Sequence, residues 1–333
     1  MKPADSETLF GFPKYPKFEL GQPRYPQDTF VGRWLHFLDV IDPRTLFTSK
    51  AKLQSCVDLL DAYNSGNVDP RVTDRQLWEA QKVKQAILHP DTGEKILPPF
   101  RMSGFVPFGW VTVVGLLLPN HTLASMTFWQ WINQTHNACV NYANRNASEN
   151  TPVSRFVQGY IGAVTSSVSI AVGLSVLVNK AERFKPITKM IVQRFIPLPA
   201  VSAASSCNVV LMRWHELNQG IKVYDENNNA IGTSQIAAKR ALRDTTITRA
   251  FLPMPLLTIC PTVMLLLERT RFLKRYPRMH LPLNTVVVVA TFGAALPIAI
   301  AMFPQISKIR REELEPEIAA KTNSAILHYN KGL

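Results

Sequence analysis

Five stretches of the chain carry no charged residue and are dominated by apolar side chains. None of them contains Asp, Glu, Lys, Arg or His. An α-helix rises about 1.5 Å per residue, so each stretch can cross about 30 Å of hydrocarbon. Each is apolar all round, whereas a helix in a soluble core keeps a polar face. The pattern predicts an all-α polytopic membrane protein with about five transmembrane helices, at residues 102–119, 156–178, 195–212, 250–267 and 281–306.

The first hundred residues follow a different pattern, in which apolar residues recur at helical spacing among polar ones. Residues 1–27 are rich in Pro, Tyr and Phe, and we expect them to lie extended over the protein or the lipid headgroups. Residues 1–100 are thus predicted to form a small helical domain in front of the membrane. Its three amphipathic helices are expected to begin near Asp28, near Thr48 or Ser49, and at the capping pair Thr73 and Gln76.

That domain closes with a turn sequence between two short apolar pairs. Pro presets the first turn angle, Asp can bond the backbone two residues on, and Gly accepts a positive φ, so a tight hairpin is expected. The His and Asp of this turn could suggest catalysis or metal binding, but no nucleophile or further ligand lies nearby in sequence. We interpret the turn as a structural motif and predict no metal site; its residues are His89, Pro90, Asp91, Thr92 and Gly93.

Polar segments separate and follow the apolar stretches. Residues 101–306 form the predicted membrane domain, and its loop at 213–249 carries a second hairpin sequence at 223–232, followed by a helix. Residues 307–333 form a charged tail outside the membrane. The composition of residues 306–327 is typical of a helix.

An amphipathic, asparagine-rich helix is predicted at residues 128–146, between the first two apolar stretches. Its asparagines are spaced by four, four and three residues, which stacks their carboxamides on one face. Carboxamides donate and accept hydrogen bonds without fixed charge, so such a face can bind a polar substrate. An interfacial helix whose polar face meets water explains the pattern equally well. The candidate substrate-binding residues are Asn133, Gln134, Asn137, Asn141 and Asn144, with Asn208 of the third stretch, since a carboxamide at membrane depth needs a partner.

Prolines recur inside four of the apolar stretches. Because proline supplies no amide donor, they predict kinked or broken helices of the kind that transporters use around a cavity. The chain has no Walker loop, dinucleotide fingerprint, HExxH or nucleophile elbow. We therefore predict no catalytic residue and no cofactor, and we do not expect an enzyme.

The formal net charge of +13 indicates an anionic partner, either nucleic acid or lipid. Lys and Arg gather beside the ends of the apolar stretches, a pattern that orients membrane proteins and attracts anionic lipid. Nucleic acid is therefore not predicted as a partner. Both basic clusters are expected to share one side of the membrane with the N-terminal region; they contain Lys180, Arg183, Lys185, Lys189 and Arg194, and Arg269, Arg271, Lys274, Arg275 and Arg278.

Several specific sequences along the chain resemble those of the sideroflexin family. They occur in order and cover nearly the whole chain: HPDTGEK at 89–95, FWQWINQTHNACVNYANRN at 128–146, LMRWHELNQGI at 211–221, VYDENNNAIG at 223–232, FLKRYP at 272–277, FPQ at 303–305 and NKGL at 330–333.

This resemblance implies a multi-pass protein of the mitochondrial inner membrane. It would move serine and other small neutral amino acids into the matrix for one-carbon metabolism. The family has also been described as tricarboxylate carriers or iron-linked proteins, but citrate would call for buried cations and the apolar stretches have none. One branch is linked to the assembly of respiratory complexes and departs from the HPDT turn that this chain keeps. A non-transporting assembly scaffold stays the alternative, and the sequence leaves a homo- or hetero-oligomer open.

Overall fold

The computed structural model describes residues 8–90, 92–116, 118, 122–144, 153–180, 197–226 and 229–331. The described chain is mostly helical, which confirms the helical class. Its helices are α1 (Phe30–Val40), α2 (Lys50–Asn64), α3 (Asp74–Ile87), α4 (Phe105–Leu116), α5 (Leu123–Ala143), α6 (Val153–Lys180), α7 (Pro197–Met212), α8 (Trp214–Gln219), α9 (Gln235–Phe251), α10 (Pro253–Glu268), α11 (Arg271–Arg275), α12 (His280–Ala301) and α13 (Pro316–Ala319).

Three helical segments of the described residues are long and apolar enough to cross a membrane. They are Phe156–Gly173, Gln235–Glu268 and Pro277–Ala301. Two further apolar helices, Met102–Leu116 and Val201–Met212, are shorter. All five overlap the predicted stretches, although Gln235–Glu268 begins well before the predicted stretch 250–267, and two do not reach full spanning length within the described residues. The count of five transmembrane helices therefore stays a prediction.

The chain divides into two compact units. The first comprises Met1–Gly109, Cys139–Glu149 and Ile300–Met302, and the second comprises Trp110–Ala138, Asn150–Ala299 and Phe303–Leu333. The predicted boundaries at residues 100 and 306 also stay predictions.

In the first unit, α1, α2 and α3 begin within two residues of the predicted positions, where side-chain caps satisfy their free amides. Thr29 and Ser49 accept hydrogen bonds from Gly32 and Lys52, and Thr73 with Gln76 forms the predicted capping box. The N-terminal segment lies over the protein: Phe18 packs in a cluster with Leu60 and Trp78, among others. It also contains two strands that the sequence analysis missed, β1 (Thr8–Leu9) and β2 (Phe12–Pro13).

A charge network ties α1 to α3. Asp42 accepts hydrogen bonds from Arg44 and from Lys82, whose ammonium lies 2.6 Å from Asp42 and 3.1 Å from Asp39. Burial alone would raise the pKa of Asp42, but these hydrogen bonds outweigh burial and hold that pKa well below its usual range.

The predicted hairpin after α3 is confirmed. The His89 N–H donates to the Glu94 carbonyl at 2.8 Å, and the Gly93 N–H donates to the His89 carbonyl at 2.9 Å. Gly93 has a φ of +69°, the conformation that only glycine adopts without strain. His89 is buried, and its Nδ1 lies 3.4 Å from the Thr92 amide. Asp91 lies outside the described residues.

The second unit contains a four-stranded antiparallel sheet, whose strands in spatial order are β4 (Ala230–Ser234), β3 (Ile221–Tyr224), β6 (Ile326–Asn330) and β5 (Ile306–Arg310). Strands β3 and β4 form the hairpin predicted in the loop at 213–249. The helical reading of residues 306–327 was wrong, because β5 and β6 occupy its two ends. In both strands exposed and buried residues alternate, which is the strand period. Val223, Ala238 and Leu327 contribute to the core between this sheet and α9.

Candidate functional site

The asparagine-rich helix is α5, and it begins at Leu123, five residues earlier than predicted. It ends at Ala143, and residues 145 and 146 lie outside the described part of the chain. Asn133, Asn137 and Asn141 are half-buried on one face, since three or four residues make about one helical turn. The helix belongs to the second unit up to Ala138 and to the first unit beyond it.

Three neutral polar side chains from α5, α6 and α7 meet in the second unit, and we call them the carboxamide cluster: Gln134, Ser167 and Asn208. The Gln134 Nε2 donates to the Ser167 hydroxyl at 2.7 Å. The Asn208 Nδ2 donates to the Gln134 Oε1. Gln134 and Ser167 are buried, with 6% and 1% of their surfaces exposed, and Asn208 is half-buried. Both polar atoms of the buried carboxamide of Gln134 are thus hydrogen-bonded within the protein.

Further neutral hydrogen bonds flank the cluster. On one side, the Thr112 hydroxyl of α4 donates to the Asn133 Oδ1 at 2.9 Å. On the other, the Tyr160 hydroxyl of α6 accepts from the Trp131 indole at 3.0 Å and lies 2.8 Å from the Thr135 hydroxyl. These contacts hold α5 against α4 and α6 without any charged group.

Glycines permit the close helix packing around the cluster. A Cβ at Gly115 of α4 would lie 2.2 Å from the Trp129 ring, and one at Gly159 of α6 would lie 3.0 Å from the Met212 Cα. Small residues at such positions let helices approach closely in a membrane. The sequence analysis did not single out Gly115 or Gly159, because only the three-dimensional contact identifies them.

The fourth apolar stretch contains the join between α9 and α10. Leu252 separates these helices but keeps right-handed helical dihedral angles, so the helical path continues through it. Pro253 and Pro255 supply no amide donors to the preceding turn, which lacks two of its backbone hydrogen bonds. The Ser202 hydroxyl of α7 donates to the Ala250 carbonyl at 2.9 Å, beside this turn. Ser202 and Asn208 lie on the same helix, six residues apart, so α7 contributes to both polar features.

The remaining candidates lie elsewhere on the same helix. Asn144, in the first unit, donates to the carbonyls of Phe100 and Val140, at 2.9 and 2.7 Å. Asn137 is half-buried in the second unit, and Asn141 is half-buried in the first. The structure therefore brings Gln134 and Asn208 together, adds Ser167 as their partner, and engages Asn144 with the backbone.

Among the described residues, no group of three or more His, Cys, Asp or Glu side chains is placed to hold a metal ion. The carboxamide cluster itself offers only neutral donors and acceptors. Such a set can exchange hydrogen bonds with the ammonium, carboxylate or hydroxyl of a small polar molecule. It has no fixed charge with which to neutralise a strongly charged anion.

Comparison with known proteins identifies the family. A family model described as sideroflexins matches residues 19–333. Sideroflexin-5 of Rattus norvegicus and of Homo sapiens are each 59% identical over 318 residues, covering 96% of this chain and 93% and 94% of theirs. Human Sideroflexin-1 is 37% identical over 324 residues, covering 96% of this chain and 98% of its own. No solved structure matches. The agreement runs through nearly the whole chain, so the protein belongs to the sideroflexin family.

Proposed function

We propose that this sideroflexin is a transporter of small neutral amino acids, serine among them, in the mitochondrial inner membrane. The carboxamide cluster is the observation that carries the proposal. It is a largely buried polar network between the asparagine-rich helix α5 and the apolar helices α6 and α7, where leaving a polar group without a partner costs about 1–3 kcal/mol. Such groups are rare at membrane depth and commonly mark a substrate pathway.

In this proposal Asn133, Gln134, Asn137 and Asn208 line the substrate path in the second unit. A zwitterionic amino acid carries an ammonium and a carboxylate, and each can replace a hydrogen bond that the cluster makes with itself. Binding the substrate then costs little free energy, because the hydrogen-bond donors and acceptors that it needs are already in place. Asn141 and Asn144, in the first unit, are not part of this path as we propose it.

The nature of the cluster also bears on the mode of transport. Among the described residues, the cluster and its flanking contacts include no carboxylate or histidine, the groups that usually relay protons or coordinate a coupling cation. We therefore propose that the substrate moves down its own gradient. The turn before Pro253 and Pro255 lacks two backbone hydrogen bonds, and such a weakened turn is a point about which a transporter helix can bend.

Uptake by liposomes that contain only the purified full-length protein tests this function. We expect labelled serine to enter faster than into empty liposomes, without an imposed proton or sodium gradient, while labelled citrate does not. Unlabelled small neutral amino acids should compete with serine. Serine entry equal to that of empty liposomes, in preparations whose protein is shown to be folded, would contradict transport and favour the assembly scaffold.

A further inference from the structure

Phe47 is the most exposed large hydrophobic residue among the described residues, with 88% of its surface open. It ends the 3-10 helix Pro43–Phe47, whose first turn is fixed by Asp42 accepting from the Arg44 amide. The residue lies outside the candidate spans, so the apolar requirement of a transmembrane helix does not explain it. We call residues 43–49 the Phe47 loop.

The Phe47 loop lies beside the point where the first apolar helix begins. The 3-10 helix Pro43–Phe47 packs against the 3-10 helix Met102–Gly104. This second element opens the apolar segment Met102–Leu116, and the two 3-10 helices both belong to the first unit. Leu97, which is 64% exposed, precedes a further 3-10 helix, Pro98–Phe100, which packs against Met102–Gly104. Phe47 and Leu97 are thus exposed apolar residues in elements that pack against the start of a helix built from membrane-compatible residues.

The surroundings of Phe47 are positively charged. Arg44 is 85% exposed, and Lys50 and Lys52 are exposed in the first turn of α2, which contains no acidic residue. The dipole of α2 places positive partial charge at this N-terminal end of the helix. The charges of the two lysines are therefore electrostatically unfavourable there unless an anion lies nearby. Asp42 pairs with Arg44, but it is shared with Lys82 and leaves a net positive charge.

We propose that the Phe47 loop docks the first unit on the anionic headgroups of the bilayer that the apolar helices cross. The aromatic ring of Phe47 inserts at the interface, and Arg44, Lys50 and Lys52 contact lipid phosphates. An exposed aromatic ring framed by cations matches the composition of interfacial anchors. A single projecting ring also fits a lipid surface better than a protein partner, whose interfaces bury a much larger apolar core. Docking requires no substrate, so it is independent of the proposed transport.

Photo-crosslinking of the full-length protein in vesicles tests this proposal. The photoreactive residue p-benzoylphenylalanine replaces Phe47 in one preparation and Ser65, at the other end of α2, in a second. After illumination in vesicles of mixed phosphatidylcholine and anionic phospholipid, mass spectrometry identifies the adducts. We expect lipid adducts at position 47 in several-fold excess over position 65. Vesicles of phosphatidylcholine alone should reduce that excess.

Charge-reversal variants test whether the molecule that lies against Phe47 is an anionic lipid. In the position-47 protein, Lys50→Glu with Lys52→Glu should lower the lipid adduct several-fold, whereas Arg71→Glu, an exposed cation beyond α2, should leave it unchanged. The same probe in intact mitochondria reports a protein neighbour as a larger crosslinked product. A crosslink to another protein or to a second copy of this chain, or a lipid adduct no stronger than at position 65, would overturn the proposal.

Discussion

At the scale of a residue, the backbone conformation of Gly93 determines which side chains its turn can accept. Its φ is +69°, and a Cβ built on it meets no atom within 4 Å. A side chain would therefore be disfavoured by backbone conformation alone, since the left-handed region costs an L-residue about 1–2 kcal/mol. The turn sequence allowed this prediction because Pro-Asp-Thr-Gly has few other conformations.

We predict that Gly93→Ala lowers the free energy of unfolding by about 1–2 kcal/mol and that Gly93→Val lowers it further. Gly173→Ala is the matched control, because Gly173 also has open space but an ordinary helical φ. Thermal unfolding of the purified protein in detergent measures both. Equal stability of Gly93→Ala and Gly173→Ala would show that the turn does not require its positive φ.

At the scale of the element, the contact between α4 and α5 depends on the absence of a side chain at Gly115. A Cβ there would lie 2.2 Å from the Trp129 ring, whereas a Cβ at Gly162 would meet Leu211 at an ordinary 3.6 Å. We predict that Gly115→Ala costs about 1–3 kcal/mol of stability by overpacking and that Gly162→Ala is nearly neutral. Thermal unfolding checks the pair. If the two variants melt together, α4 and α5 do not pack as described.

The last strand offers a second matched pair. Leu327 is fully buried in the sheet core, and its neighbour Ile326 is 38% exposed. We expect Leu327→Ala to cost about 2–5 kcal/mol, as large-to-small core substitutions do, and Ile326→Ala to cost much less. Chemical denaturation, monitored by how readily a protease cleaves the sheet, measures the difference in stability between the two variants. Similar losses from both would contradict the alternation seen in β6.

The same strands show which elements the sequence could predict. Helices α1 to α3 were predictable because their caps and apolar spacing are local. The hairpin of β3 and β4 was predictable because its turn residues are adjacent. Strand β6 was misread because its pairing partners are β3, about a hundred residues earlier, and β5. Without those partners, a short charged segment with scattered apolar residues fits a helix as well as a strand.

For the whole molecule, the sequence located the apolar stretches, but it could not assemble the site. Gln134 and Asn208 were both singled out, yet they lie 74 positions apart and nothing local pairs them. Neither Ser167 nor the Tyr160 hydroxyl was among the predicted binding residues. Their roles depend on the packing of α5 against α6 and α7, which no local signal encodes.

We predict that all five apolar stretches cross the membrane, with the N-terminus and the loop at 181–194 on the matrix side. The basic clusters support this orientation, although the loop at 213–249 is also rich in Lys and Arg. Protease sites before Met1, within 181–194 and after Leu333 test it in mitochondria with ruptured outer membranes. Only the last should be cleaved. Cleavage within 181–194, with the N-terminal site protected, would mean that the first stretch does not cross.

We propose that substrate passes through the carboxamide cluster, and serine uptake by liposomes containing matched variants measures this most directly. Asn208→Leu removes the donor to Gln134, and Ser167→Ala removes its acceptor. We predict that Asn208→Leu lowers the uptake rate about tenfold or more and that Ser167→Ala lowers it less. Cys207→Ser, at an exposed neighbouring position on α7, should transport like the wild type. Wild-type uptake by folded Asn208→Leu protein, at equal reconstituted amounts, would contradict the account.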